Sequence, residues 1–504
     1  MASALDTTAL IVLTGMVMAG AIPLVAACYQ FSLIGLHGIR NHYPRVEQAL
    51  REHGDATPRT AIVVPAWNEA AVIATTVDRL VAMDYPEDSL RVYVVDDAST
   101  DATPEVLRAK ELEYPGRVFH LRRDKGGEGK AHTLNHGLGV ILADDWCEAL
   151  LIIDADVIFE PETLRKMARH LSDPEVGAVT AYIKEGSRPA NYMARFIGFE
   201  YITAQAASRR AQNVLGVLAC LAGGAQLHKR ESLEAIGGRI DTSSLAEDTF
   251  TTFMTQREGW RVLFDGNAIV WAEEPADILG LWKQRLRWAR GNVQVSLRYM
   301  WVWFRRDRDR RLGGFSFGLF WFTIFLMPIF MISASVGLVI LFFVDFPYSW
   351  TLFRVLWITN AVTYLFVTLF SFTIDPATAR RTWFEGLMFP GAVALVIIVY
   401  TCFPPLFEDY LRGAFEAVGV PADGLLVSLA ILFAYVWLAG SMVAAWAAKE
   451  AEGRGRLRIL SPALVYTAGY GPLLCAITFT AYVKEARGAE MKWDKTEKTG
   501  KVLG

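Results

Sequence analysis

Ala149-Leu-Leu-Ile-Ile-Asp154-Ala-Asp156 decides how the chain is read. An unbroken apolar run of this length suits a strand covered on both faces, as in a parallel sheet. Two carboxylates, two residues apart, stand at its carboxyl end. Thr60-Ala-Ile-Val-Val-Pro65 and Arg91-Val-Tyr-Val-Val-Asp96 repeat the pattern upstream. Helical patterns alternate with these runs, over Glu69–Met83, Thr103–Glu113, Gly129–Ala143 and Glu162–Leu171. Strand–helix alternation predicts a doubly wound α/β domain. In such a sheet, ligands sit beyond the carboxyl ends of the strands. Asp96-Asp97 and Asp154-Ala-Asp156 both stand there.

Outward from this block the composition changes. The 504 residues are 53% hydrophobic and only 20% charged, with mean hydropathy +0.27. That apolar mass excludes a disordered chain. A formal charge of −3 argues against a nucleic-acid partner. Five scattered cysteines without a C-x-x-C pair argue against a disulfide framework or a zinc site. The apolar excess concentrates in six stretches of membrane length, about 20 residues each. These are Thr7–Leu36, Phe315–Val344, Leu352–Ile374, Gly386–Phe407, Leu425–Ala448 and Ile459–Val483. The first lacks a basic n-region and exceeds a signal core, so it reads as a retained span. Gly386–Phe407, with Pro390, Pro404 and Pro405, is the weakest.

Orientation follows from short-loop Lys and Arg. Arg40, Arg45, Arg51, Arg305, Arg306, Arg308, Arg310, Arg311, Arg380, Arg381, Lys449, Arg454, Arg456 and Arg458 fall on one side if all six stretches span. The soluble block is therefore expected in the cytoplasm, in an inner or plasma membrane protein. The basic tail (Lys484, Arg487, Lys492, Lys495, Lys498, Lys501) contradicts the count, because six spans place it outside; either it is an exception or one stretch is re-entrant. The expected division is residues 1–39 as the first span, 40–274 catalytic, 275–312 interfacial, 313–484 membrane and 485–504 tail.

Each acidic or basic cluster has a plain reading and a chemical one. Asp154 and Asp156 are either a solvated strand exit or hard oxygen ligands for Mg2+ or Mn2+. Asp96-Asp97 is either an Asx turn or a nucleoside contact, and adjacent like charges call for a partner. Glu247-Asp248 suits the first turn of a helix, while a carboxylate in an apolar cleft can act as general base. Gln284-Arg-Leu-Arg-Trp288 is either a membrane-surface helix or a phosphate- and sugar-binding face, since Arg287 can grip phosphate and Trp288 can stack on a sugar. Lys125-Gly-Gly-Glu-Gly-Lys130 and Cys220-Leu-Ala-Gly-Gly-Ala-Gln226 read locally as turns. The first could meet phosphate through Lys130, and the second allows close approach at Gly223 and Gly224. Asn191–Ala211 is a helix for either the membrane surface or the core.

In order along the chain, Pro65-Ala-Trp-Asn-Glu69, Asp96-Asp97, Gly129-Lys-Ala-His-Thr-Leu-Asn135, Asp154-Ala-Asp156, Glu247-Asp248 and Gln284-Arg-Leu-Arg-Trp288 resemble the family-2 membrane-integrated glycosyltransferases, which include cellulose, hyaluronan, chitin-oligosaccharide and poly-N-acetylglucosamine synthases. The resemblance implies a glycosyltransferase A-type α/β domain beside a transmembrane domain, a UDP-sugar donor and a divalent metal, Mg2+ or Mn2+. It implies donor contacts for Pro65, Glu69, Asp96, Asp97 and Lys130. Asp154 and Asp156 would hold donor and metal. Asp248 would be the base, with Glu247 beside it. Gln284 and Arg287 would hold the pyrophosphate, and Trp288, Gly223 and Gly224 the acceptor. It further implies a processive, inverting enzyme that extends a polysaccharide from UDP-N-acetylglucosamine and exports it through its own membrane helices, with room for accessory secretion subunits. The runner-up is transfer of one sugar to a lipid-linked acceptor. Two departures stand out. Ala222-Gly-Gly-Ala225 replaces the family's usual C-G-S or S-G-P, which leaves the acceptor open, and Ala246-Glu-Asp248 replaces T-E-D but spares both carboxylates.

Overall fold

A computed structural model of the protein describes residues 7–35, 47–48, 56–305, 312–417, 419, 424–455, 458–490 and 502. Several of the basic residues that set the expected orientation lie outside them, namely Arg40, Arg45, Arg51, Arg306, Arg308, Arg310, Arg311, Arg456, Lys492, Lys495, Lys498 and Lys501. The chain forms two compact units. One comprises Leu33–Ala276, Arg287–Gly318 and Glu485–Gly504; the other comprises Met1–Ser32, Asp277–Leu286 and Leu319–Lys484.

The first unit is built on an eight-stranded sheet. In chain order its strands are β1 (Thr60–Ala66), β2 (Leu90–Asp96), β3 (Val118–Arg122), β4 (Ala149–Ile152), β5 (Val157–Phe159), β6 (Val176–Glu185), β7 (Gln226–Lys229) and β8 (Arg261–Ala272). They lie in the order β3-β2-β1-β4-β7-β6-β8-β5. The first four are parallel, as the apolar runs predict. Beyond them the sheet is mixed: β7 runs antiparallel to both β4 and β6, and β5 antiparallel to β8. The sheet thus joins a parallel half to a mixed half. Pro65 faces Val95, past the last β1–β4 pair at Val63↔Ile152, so its missing N–H costs no ladder bond to β4.

Helices follow the expected pattern with trimmed ends: Ile73–Val81, Thr103–Glu113, Lys130–Ile141 and Thr163–Ala168. Ala131, Leu134, Leu138 and Ile141 bury one face against Ala61, Val63, Val95 and Ile152. That contact fixes where the strand ends meet the helix start at Lys130. The Asn191–Ala211 stretch is core, not membrane surface. Met193, Phe196, Ile197 and Phe199 are buried, and Asn191 caps the helix by accepting from the Ala194 N–H at 2.9 Å. Its middle, Tyr201–Ala207, is a π-turn.

The second unit holds three continuous helices long and apolar enough to cross a membrane: Thr7–Leu33, Ser349–Ile374 and Leu426–Gly453. Three more candidates are bent pairs: Phe315–Phe325 with Met327–Phe343 (68°), Pro376–Leu387 with Ala392–Cys402 (76°) and Arg458–Ala468 with Tyr470–Ala486 (100°). The six candidate stretches thus comprise three straight helices and up to three broken ones among the described residues. Two breaks touch. Gly391 (φ +91°) and Gly469 (φ +103°) meet backbone to backbone, and a Cβ on either would lie 2.5 Å from main-chain atoms across the contact. Only glycine allows this approach.

The helix Ile278–Arg298 carries Arg290, whose Nη1 and Nη2 donate to the carbonyls of Glu490 (3.0 Å) and Ala489 (2.6 Å), and whose Nε pairs with Glu485. Val502 bridges Ser187. Residues 487–490 and Val502, which follow the last helix, thus contact the catalytic unit and are part of it.

Candidate active site

The carboxyl ends of β1, β2 and β4 deliver the acidic residues, and the start of the Lys130 helix delivers a cation. Asp154 and Asp156 follow β4 with buried Ala155 between them, which leaves both carboxylates half-exposed. The Lys130 ammonium sits 2.6 Å from Asp154 Oδ1 and 3.7 Å from Glu247, and donates to the Gly223 carbonyl at 3.1 Å. A Cβ on Gly223 would lie 3.3 Å from Asp248 Oδ2 and 3.4 Å from Lys130 Nζ; one on Gly224 would lie 3.4 Å from Asp154 Oδ2. Five separate stretches of sequence thus converge: Lys130, Asp154, Gly223-Gly224, Glu247-Asp248 and Arg287, whose charge acts on Glu247.

Electrostatics set the protonation of this cluster. Burial by itself would lower the Lys130 ammonium, but Asp154, Glu247 and Asp248 outweigh it and hold it well above an ordinary lysine. Lys130 is therefore a fixed positive charge. Glu247 moves upward. Its burial and Asp248 raise it, and Lys130 and Arg287 pull it back only in part. Glu247 is thereby held toward its protonated form. The pair opens the helix Glu247–Arg257, as the plain reading of Glu247-Asp248 expects.

Among the described residues, no group of three or more His, Cys, Asp or Glu is placed to hold a metal. Asp154 and Asp156 offer two hard-oxygen side chains, one already sharing an oxygen with Lys130. That donor set fits a cation such as Mg2+, which takes one or two carboxylates and completes its shell with water and substrate phosphates.

The second acidic pair lies at the end of β2. Asp96 is fully buried. Its Oδ1 accepts from the Ser99 N–H at 2.8 Å, and its Oδ2 lies 3.4 Å from Arg122. Asp97 pairs with Arg123 and accepts from the Gly127 N–H at 2.9 Å. The glycine-rich loop therefore folds onto Asp97. Asn68 and Glu69 close the same corner: the Asn68 N–H donates to Ser99 Oγ (2.9 Å), the Glu69 N–H to Thr103 Oγ1 (2.8 Å), and Asn68 Oδ1 accepts from the Thr100 N–H (2.8 Å). Pro65 is the next-to-last residue of β1, just before this corner.

Gln284, Arg287 and Trp288 share one unbroken helix, Ile278–Arg298. Gln284 belongs to its N-terminal part, in the helical unit, and accepts from Arg285 Nη1 at 2.6 Å. Arg287 and Trp288 belong to the catalytic unit and are half-buried.

Sequence reasoning overlooked Arg122 and Arg123, the partners of Asp96 and Asp97. They close a strand that was not anticipated, so their place at the sheet edge was hidden. It also overlooked Arg209 and Cys220 beside Asp248. Burial and then Asp248 raise the Cys220 thiol, while burial lowers Arg209 despite the neighbouring Asp248. Both come from segments read as plain helix and turn.

Residues 58–291 match the family model described as glycosyltransferase like family 2, a span that contains every cleft residue from Pro65 to Trp288. The probable glycosyltransferase YdaM of Bacillus subtilis is 29% identical over 383 residues, 73% of this chain and 88% of that protein. The beta-monoglucosyldiacylglycerol synthase of Synechocystis is 32% identical over 255 residues, 50% of this chain and 52% of that protein. The poly-beta-1,6-N-acetyl-D-glucosamine synthase of Staphylococcus epidermidis is 25% identical over 242 residues, 48% of this chain and 56% of that protein. The chain spans little more than half the length of these last two.

Proposed function

We propose that the chain, a membrane glycosyltransferase of family 2, is a processive inverting enzyme that builds a β-linked polysaccharide from a UDP-sugar, with UDP-N-acetylglucosamine as the first donor to test. The observation that carries the reading is the cluster of Lys130, Asp154, Glu247 and Asp248 around the Gly223-Gly224 backbone. Asp248 accepts the proton of an acceptor hydroxyl. The freed oxygen attacks the anomeric carbon from the face opposite the diphosphate. The carbon–oxygen bond to the β-phosphate breaks, and UDP leaves with the electron pair. Inversion at that carbon follows from single, in-line displacement. A divalent metal on Asp154 and Asp156 supplies positive charge to the leaving diphosphate.

Lys130 pairs with Asp154 and adds a fixed positive charge beside the leaving group's site. Arg287 suits a diphosphate oxygen, and Trp288, one residue on, offers a face for the acceptor sugar. Asp96, Asp97 and Glu69 form the corner assigned to uridine. In this reading residues 40–274 are catalytic and cytoplasmic, 275–312 are interfacial and 313–484 form the export path. The match to a poly-beta-1,6-N-acetyl-D-glucosamine synthase supports a polymer product.

A second reading, transfer of one sugar to a lipid, is favoured by the 32% identity to beta-monoglucosyldiacylglycerol synthase. Purified protein given single UDP-sugars with Mg2+ or Mn2+ separates the two. UDP release with products of many sugars supports polymerisation; a lipid carrying one sugar would overturn it.

A further inference from the structure

A chain of contacts runs from the last helix to the backbone just before the base. Glu485 lies in the final turn of the helix Tyr470–Ala486, where the helix dipole disfavours a carboxylate. It is held there by two donors from one helix: Arg290 Nε, and Gln294 Nε2 at 3.2 Å. The other end of the Gln294 amide accepts from the Leu245 N–H at 3.0 Å. Leu245 precedes Glu247 and Asp248 by two and three residues. Between Arg290 and Gln294 sits Gly291, packed so tightly that a Cβ there would lie 2.5 Å from Ala246 Cβ and 2.7 Å from the Ala246 nitrogen. The base segment is therefore clamped twice against the same helix, once by close backbone packing and once by an amide that Glu485 orients. Arg290 is 6% exposed and also binds the Ala489 and Glu490 carbonyls, so the segment that follows the last helix is tied into the clamp.

We propose that Glu485 and Gln294 are positioning residues for catalysis, through which the end of the last helix sets the placement of Asp248. The proposal rests on Asp248 being the general base. A carboxylate hydrogen-bonded on one edge fixes which way the Gln294 amide points: its N–H faces Glu485, so its oxygen faces Leu245. Without Glu485 the amide is free to flip, and the Leu245 N–H loses its acceptor. Misplacement of a catalytic group by about 1 Å can cost on the order of 10²-fold in rate.

The test uses the full chain in lipid, with initial rates of UDP release against donor concentration. Gln294→Ala and Glu485→Ala are each expected to lower kcat about tenfold, an effect of the size partial misplacement produces, while the donor KM changes by less than about twofold. Glu485→Gln keeps an acceptor oxygen for Gln294 and is expected to retain most of the turnover. It also carries the test, with Gln294→Ala, if Glu485→Ala does not fold. Unchanged kcat in Gln294→Ala, or a raised KM at constant kcat, overturns the proposal. Asp248→Asn is measured alongside: full activity there sinks the base assignment itself, whereas loss of activity there with normal Gln294→Ala sinks only the clamp.

Discussion

Lys130 is one ammonium set among three carboxylates, and its surroundings make it the fulcrum of the cleft. It contacts Asp154, reaches toward Glu247 and binds the Gly223 carbonyl, so it joins the end of β4, the Glu247-Asp248 pair and the glycine pair in one cluster. Replacing it with methionine keeps much of the volume but leaves the buried Glu247 and the half-exposed Asp154 without their lysine counter-charge. Lys130→Met is expected to lower kcat at least tenfold and to raise the midpoint pH for activity, because the remaining acids would hold protons more readily; a pH–rate profile checks both. Asp248→Asn keeps shape and hydrogen-bonding length but cannot take a proton. It is expected to lose roughly 10²–10⁴-fold in UDP release, the usual worth of a general base, with donor affinity retained in a binding assay. Asp154, Asp156, Glu247 and Asp248 were legible from sequence because acids at strand ends and helix starts stand out. Arg123, Arg209 and Cys220 were not, because their roles depend on partners 26, 39 and 28 residues distant: Asp97, Asp248 and Asp248 respectively.

Among the elements, the parallel half of the sheet was readable and the mixed half was not, and the difference is physical. β1, β2 and β4 are continuous apolar runs buried on both faces. β7 is Gln226-Leu-His-Lys229, a sequence with no strand signature. It is a strand because β4 and β6 flank it and pair with its backbone. This leaves His228 fully buried between them, with Nε2 3.3 Å from Gln226 Oε1 and no hydrogen-bond partner for Nδ1. Burial pushes its pKa down to about 4. The folded form therefore binds fewer protons than the unfolded form between about pH 4 and the ordinary histidine value near 6.5. The stability from a neutral His228 is complete above about 6.5 and is lost as pH falls, by roughly 3 kcal/mol at pH 4. Thermal melts across that window are expected to show a falling midpoint in the native chain and a shallower fall in His228→Leu. An identical slope in both would mean that His228 does not titrate this way.

For the whole molecule, the decisive fact is that the last helix ends on the catalytic unit. Within the helical unit, Arg458 lies 3.5 Å from Asp277, and Lys449 sits over the Trp282 ring at 5.5 Å. Within the catalytic unit, Glu485 pairs with Arg290. Asp277 precedes, and Arg290 lies within, the one helix Ile278–Arg298, which is too charged to cross a bilayer. The pair Arg458–Ala468 and Tyr470–Ala486 is bent by 100°, the form of either a broken span or a re-entrant loop. A re-entrant pair would leave four crossings among the described residues after 312 and would set the basic tail with the other positive loops, as charge asymmetry requires. Single cysteines at exposed Glu105 and Arg487 are expected to react with an impermeant maleimide from the same side, and one at exposed Tyr348 from the opposite side; labelling of Arg487→Cys together with Tyr348→Cys would contradict this count. The central claim, that one chain both joins sugars and moves the product across the bilayer, is tested most directly in sealed proteoliposomes. UDP-N-acetylglucosamine and Mg2+ are supplied only on the catalytic side, and product is sized before and after an external glycoside hydrolase. The account predicts a long polymer that resists the hydrolase until detergent is added; a lipid bearing a single sugar, or a polymer digested at once, would contradict it.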